Sequence, residues 1–168
     1  MDFDIKTAGL QPGDLIIMAG RPSMGKTALA TNIAYNASRA LRAEKEAGDG
    51  EGGSVGFFSL EMSHEQLAAR LMAAAAGISS SNMRRGELTN EEFMQLVDAS
   101  HDVASLPFFI DDTPALSISA VRTRARRLKR MHNLRLLVVD YLQLLRGSSA
   151  ASTQNRVQEI SEITQGLK

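Results

Sequence analysis

Residues 14–27 read DLIIMAGRPSMGKT, and this stretch decides the fold. Its first part, residues 14–19, is a short continuous apolar run of the kind that forms a buried parallel strand. It leads into Gly20-Arg21-Pro22-Ser23-Met24-Gly25-Lys26-Thr27, which fits G-x-x-x-x-G-K-[ST] without a mismatch. A helical stretch follows, so the order is strand, glycine-bounded turn, helix. That order suits a phosphate loop. Several backbone N–H groups must turn inward around one phosphate, and side chains would block the approach. Gly20 and Gly25 permit the bend, and the free N–H groups at the helix start, with its dipole, hold negative charge. Lys26 reaches the outer phosphates as a point charge. The Thr27 hydroxyl is placed to ligate a magnesium ion that bridges phosphate oxygens. Arg21, Pro22, Ser23 and Met24 shape the loop, and Ala28 is counted with it as nucleotide-binding.

Outward from this loop, strands and helices alternate. A helix is expected over 26–46, with Leu29, Ile33, Ala37 and Leu41 on one face. A polar loop, AGDGEGG, fills 47–53, and SVGFFSL at 54–60 is a strand ending in Glu61. Ser63 caps the next helix, with Gln66 in the capping-box position, and Gly77 stops it. Helices follow at 79–85 and 89–105, then a short strand, PFFI, at 107–110. A basic helix opens at Ser117 or Ser119 and runs to Met131. LRLLVVD, 134–140, is the clearest buried strand. A small-residue loop, 147–153, precedes a last helix over 155–168. Apolar strands separated by helices of this length imply βαβ crossovers. The fold class is therefore α/β, a parallel sheet core with helices on both faces.

Composition narrows the function. Lys plus Arg number 19 and Asp plus Glu number 19 in 168 residues, which excludes a strongly basic nucleic-acid module on bulk charge but leaves a locally basic face open. There is no cysteine, hence no disulfide framework and no cysteine-ligated zinc. The three histidines, His64, His101 and His132, lack ligand-like spacing and read as surface or boundary residues. No apolar run reaches the roughly 18–20 residues of a membrane span, and residues 1–10 do not resemble a secretory signal. A cytoplasmic protein without a membrane partner is the expectation.

A phosphate loop needs a carboxylate to support magnesium and a group to orient water. Asp140 closes the LLVVD run, at the strand end where open parallel sheets bind ligands, and is the candidate magnesium carboxylate. Glu61 sits at the corresponding end of an earlier strand. It suits a general base, or equally an acid stabilising the start of the helix that Ser63 caps.

GRPSMGKT, FFSLEMS, LLVVDYLQLL and NRVQEISEITQGLK, in this order, resemble the DnaB-type bacterial replicative DNA helicases, in their C-terminal RecA-like motor domain. The resemblance covers essentially the whole chain. It implies that Glu61 and Lys26 are catalytic and that Thr27 and Asp140 contact Mg2+ beside ATP. It also implies single-stranded and replication-fork DNA as substrate, a hexameric ring, and primase and a helicase loader as partners. Arg70 matches a motif arginine near the active site, or is a plain helix-surface cation. Gln143 senses nucleotide state or simply ends the strand. The resemblance further implies an N-terminal helical domain, and beyond Lys168 a sensor strand, DNA-binding loops and an arginine finger. On that reading the chain is a truncated motor domain, incomplete at its C-terminal end, that binds nucleotide, hydrolyses it poorly alone and self-associates.

Other features read more plainly. Residues 121–131, VRTRARRLKRM, carry Arg122, Arg126 and Arg130 on one face. That face is a DNA-backbone contact or, the reading favoured here, a solvated outer surface over Val121, Ala125 and Leu128. Met62, Met72, Met83 and Met94 read as core or boundary fillers, and Asp111 and Asp112 as turn acids before Thr113-Pro114, outside the site. Three rival functions stay open: a RecA-like recombinase or clock-type ATPase, a nucleotide-gated assembly module that does not hydrolyse, and a small-molecule phosphotransferase.

Overall fold

A computed structural model of the chain describes residues 9–21, 23–141, 145 and 156–167, and in the last helix the side chains of 161 and 163–167. The elements run α1 (Lys26–Ala47), β1 (Ser54–Ser59), α2 (His64–Ala76), α3 (Ser80–Arg85), α4 (Asn90–Ala104), β2 (Phe108–Asp111), α5 (Ile118–His132), β3 (Leu134–Asp140) and α6 (Arg156–Leu167). Pro22, Gln143 and the 147–153 loop lie outside the described residues.

Helix boundaries follow local chemistry. Ser63 and Gln66 form a reciprocal capping box on α2, and Thr89 and Glu92 do the same on α4. Ser117 accepts from the Ala120 N–H to open α5. Gly48, Gly77 and Gly86 end α1, α2 and α3 in the left-handed region, where a Cβ is costly.

The three strands form one parallel sheet in the order β2-β1-β3. Its two faces carry separate cores. Val55, Phe57, Leu136 and Val138 meet Ala30 and Ala34 of α1 and Leu67 of α2 on one side. Phe58, Leu137 and Val139 meet Ile118 and Val121 of α5 and Ile163 of α6 on the other. Alternation along a strand sends Phe57 and Phe58 to opposite faces, which is why β1 is buried along its whole length.

Two expectations need correction. Residues 14–19 form no strand in the described structure; Leu15, Ile16 and Ile17 are exposed, Ile17 to 56%. A run of apolar residues signals capacity for burial, but a strand exists only through a paired neighbour, and no ladder to 14–19 forms among the described residues. The face of α1 is also shifted. Its buried stripe is Ala30, Thr31, Ala34, Tyr35 and Ser38, with Ala37 and Leu41 beside it, while Leu29 is 48% exposed. Ala30 and Ala34 face the sheet, while Tyr35 turns to Leu71 and Leu106. Met62, Met72 and Met83 are half-buried as boundary fillers, but Met94 is exposed.

The sheet also depends on one residue having no side chain. A Cβ at Gly56, in the middle of β1, would stand 3.2–3.3 Å from methyl groups of Leu134, Leu128 and Leu137. Gly56→Val should therefore overpack the α5 face and cost about 1–3 kcal/mol. The expected result is a lower urea midpoint with an unchanged m value; an unshifted midpoint would contradict this packing.

Candidate nucleotide site

The direction of α1 places the loop. A Cβ at Gly52, just before β1, would lie 3.2 Å from the Leu41 carbonyl oxygen. Arg42 pairs with Asp102 at 2.7 Å and donates to Ser105 Oγ, just before β2. The late turns of α1 thus sit where the strands begin. The helix is 22 residues long, about 30 Å at 1.5 Å per residue, whereas the strands span about 20 Å or less. Its N-terminus therefore overlies the edge where the strands end, and the 20–27 loop opens there.

At that edge the first N–H to find a helix acceptor is that of Leu29, which donates to Gly25 O at 2.9 Å. The N–H groups of Lys26, Thr27 and Ala28 precede it and have no carbonyl within the helix to bond. Gly25, at φ 81°, caps the helix without a side chain. Ser23, at φ 63°, also lies in the left-handed region, where a non-glycine residue is uncommon and the backbone amides are turned to one side. The Lys26 ammonium folds back over the loop and donates to Gly20 O at 2.9 Å and Arg21 O at 3.4 Å. Met24 donates its N–H to Arg21 O at 3.3 Å, closing the turn. The starts of α2, α4 and α5 carry side-chain caps; the α1 start presents amides and an ammonium group instead.

The acids reach the same edge by register. Ser59, the last residue of β1, lies opposite Asp140, the last of β3. Asp140 is 7% exposed, yet its carboxylate has no hydrogen bond or ion pair among the described residues. A carboxylate at this edge with no protein partner among the described residues can ligate a cation. Thr27 is half-buried at the start of α1, and its carbonyl accepts from Thr31 Oγ1 at 2.7 Å. No group of three His, Cys, Asp or Glu able to hold a metal occurs among the described residues. Thr27 and Asp140 offer one hydroxyl and one carboxylate, a donor set that could hold magnesium with phosphate oxygens and water as its other ligands. Glu61 follows Leu60, whose N–H donates to Asp140 O at 2.8 Å. Its side chain is exposed at the strand-end edge.

Two residues outside the expected site belong to its frame. Asp112 is more than a turn acid: its Oδ2 accepts from the His64 N–H and lies 2.8 Å from His64 Nδ1. Asp111 accepts from Arg124 and from the Thr113 N–H. The only prior indication was position, since both acids end a parallel strand and such ends share one edge. Arg70 is exposed on α2, and Arg122, Arg126 and Arg130 are exposed on α5 over a buried Val121.

A family model described as the DnaB-like helicase C-terminal domain matches residues 1–168. The chain belongs to that family. It is 56% identical over 168 residues to the replicative DNA helicase DnaB of Rickettsia conorii, covering 100% of this chain and 34% of that protein. It is 42% identical over 167 residues to the DnaB of Geobacillus stearothermophilus, covering 99% and 34%. The chain thus spans about a third of the length of these relatives. Among solved structures it is similar to a DnaB-like replicative helicase studied for its interactions with primase, with a TM-score of 0.75 and 29% identity over 88% of this chain and 33% of that one. A solved ATPase domain gives a TM-score of 0.74 and 29% identity over 88% and 49%. The expected fold holds: an open parallel sheet with helices, as in the RecA-like ATPase domains of DnaB-like helicases. Among the described residues no helix is long and apolar enough to cross a membrane.

Within this DnaB-like domain the His64–Asp112 pair sets a pH window. The hydrogen bond to Asp112, then the nearby Glu65 charge, raise the His64 imidazole above its ordinary value. The His64 N–H, then its ring, lower the Asp112 carboxyl. The histidine's contribution is full below its ordinary value and is lost as pH rises through the elevated one. The aspartate's is present above the ordinary carboxylate range and is lost as pH falls through the lowered one. The pair therefore holds most firmly in mildly acidic solution. NMR titration should find His64 raised, and Asp112→Asn should return it toward the ordinary imidazole value; an unchanged titration would contradict the contact.

Proposed function

We propose that the chain is the ATP-dependent motor of a replicative DNA helicase, and that Gly20 to Ala28 bind the phosphates of ATP. What carries this reading is the uncapped, amide-bearing start of α1 opening on the same sheet edge as Asp140 and Glu61. The amides of 25–28 and the Lys26 ammonium hold the phosphate chain. Arg21, Pro22, Ser23 and Met24 give the loop its curvature. Thr27 and Asp140 would hold Mg2+, which when bound supplies charge neutralisation between phosphate oxygens. Glu61 accepts a proton from the attacking water and orients it toward the terminal phosphate. The main term is electrostatic: donors and cations already fixed where negative charge develops.

In the full-length protein, membership of the DnaB-like family supports a hexameric ring with ATP at subunit interfaces, and hydrolysis coupled to translocation on single-stranded DNA and unwinding of the replication fork. The similar structure studied with primase supports a primase partner. A helicase loader and a cytoplasmic setting follow from the same reading.

Two substitutions test it. Lys26→Ala removes a charged donor worth about 1.5–3 kcal/mol, so Mg-ATP affinity measured by calorimetry should fall about tenfold or more with the melting temperature preserved. Glu61→Gln should keep affinity within about twofold and lower single-turnover hydrolysis in the full-length protein by about a hundredfold or more. Binding without hydrolysis in the unsubstituted protein would instead support the non-hydrolysing assembly module. Full hydrolysis in Glu61→Gln would remove the base assignment.

A further inference from the structure

We propose that Asp112 is a positioning residue for Glu61: it fastens the start of α2 and thereby holds the short strap that carries Glu61 along the sheet edge. The inference rests on the reading of Glu61 as the group that activates water.

The strap is residues 60–63, between β1 and α2. At one end the Leu60 N–H donates to Asp140 O at 2.8 Å. Just past the other, the His64 N–H donates to Asp112 Oδ2 at 2.8 Å, and His64 Nδ1 lies 2.8 Å from the same oxygen. β3 and β2 flank β1 on opposite sides. The strap is therefore tied to the end of one neighbouring strand before Glu61 and to the end of the other after it. Only Glu61, Met62 and Ser63 lie between the two ties. Ser59 Oγ donates to Met62 O at 2.7 Å, and the Ser63 capping box fixes the last residue.

Glu61 itself makes no hydrogen bond through its carboxylate among the described residues, and it is exposed. Its location is therefore set by its backbone, and its backbone by these ties. Asp112 supplies the tie that comes from a side chain 48 positions away in sequence. Asp112 is braced in turn. Arg124 of α5 bonds both Asp111 and Thr113 Oγ1, the latter at 2.8 Å, and so grips the residues on either side. A reacting group misplaced by about 1 Å can lose about a hundredfold in rate, so a strap loosened at one end reads out in turnover rather than in binding.

The test uses the full-length protein, with single-turnover ATP hydrolysis and affinity for a non-hydrolysable ATP analogue measured together. Asp112→Ala should slow hydrolysis by about tenfold or more and leave the affinity within about twofold. Asp112→Asn, whose amide oxygen can still accept from the His64 N–H, should recover most of the rate. In a Glu61→Gln background, Asp112→Ala should cost nothing further. His64→Pro breaks the same tie from the other side, since proline has no N–H and is tolerated at a first helical position; it should slow hydrolysis comparably and decides the question if Asp112→Ala does not fold. Full hydrolysis in Asp112→Ala or His64→Pro, with Glu61→Gln unable to hydrolyse, would overturn this proposal alone. An equal loss from Asp112→Ala with and without Glu61 would also overturn it, because it would mark a general structural role. Full hydrolysis in Glu61→Gln would remove the base assignment and this proposal with it.

Discussion

Parallel pairing of β1 with β3 requires both strands to end on the same side of the sheet, and the register sets Ser59 opposite Asp140 there. Everything else at the candidate site is arranged around that edge. The late turns of α1 lie beside Gly52 and Ser105, where β1 and β2 begin, so its N-terminus, with the 20–27 loop, arrives above the edge. Glu61 arrives because it lies two residues past the end of β1, and the Leu60–Asp140 hydrogen bond keeps it close to the end of β3. An antiparallel pairing of the same two strands would send Glu61 and Asp140 to opposite edges, about 20 Å apart over six residues.

The interior supports this geometry with two thin apolar layers. Alternation along β1 and β3 divides Phe57 from Phe58 and Val138 from Val139, so each sheet face has its own core. Small residues sit at these contacts: Ala30 and Ala34 of α1 against one face, and Gly56 beneath Leu128 of α5 on the other. Phe57 also stacks on Phe108 with ring centroids 6.1 Å apart, tying β2 to the central strand. Because β2 pairs parallel with β1, Asp111 and Asp112 come to the same edge as Asp140.

Much of this was legible in the sequence because it is local. The capping box at Ser63 and the stop at Gly77 depend on residues within one helical turn, and the structure places the helix boundaries within a residue or two of the reading. The glycine-bounded turn at 20–27 leading into a helix was legible for the same reason. Partnership across the chain was not. The apolar run at 14–19 carries no mark of which edge it pairs with. The buried stripe of α1 was misplaced toward Leu29, because an apolar period does not reveal that Thr31 and Ser38 are buried beside Ala30, Ala34 and Tyr35. Asp112 looked like a turn acid because its partner, His64, is 48 residues away. In each case the missing information is a contact between distant segments, which no local pattern encodes.

The central claim is that one sheet edge binds a nucleotide triphosphate and its metal. The most direct measurement is a crystal structure of the chain grown with Mg2+ and a non-hydrolysable ATP analogue. The account requires the outer phosphates against the amides of 25–28 and the Lys26 ammonium, a cation shared by Thr27 and Asp140, and the Glu61 carboxylate facing the terminal phosphate. Nucleotide density elsewhere on the fold, or a bound triphosphate with Asp140 and Glu61 both turned away from it, would contradict it.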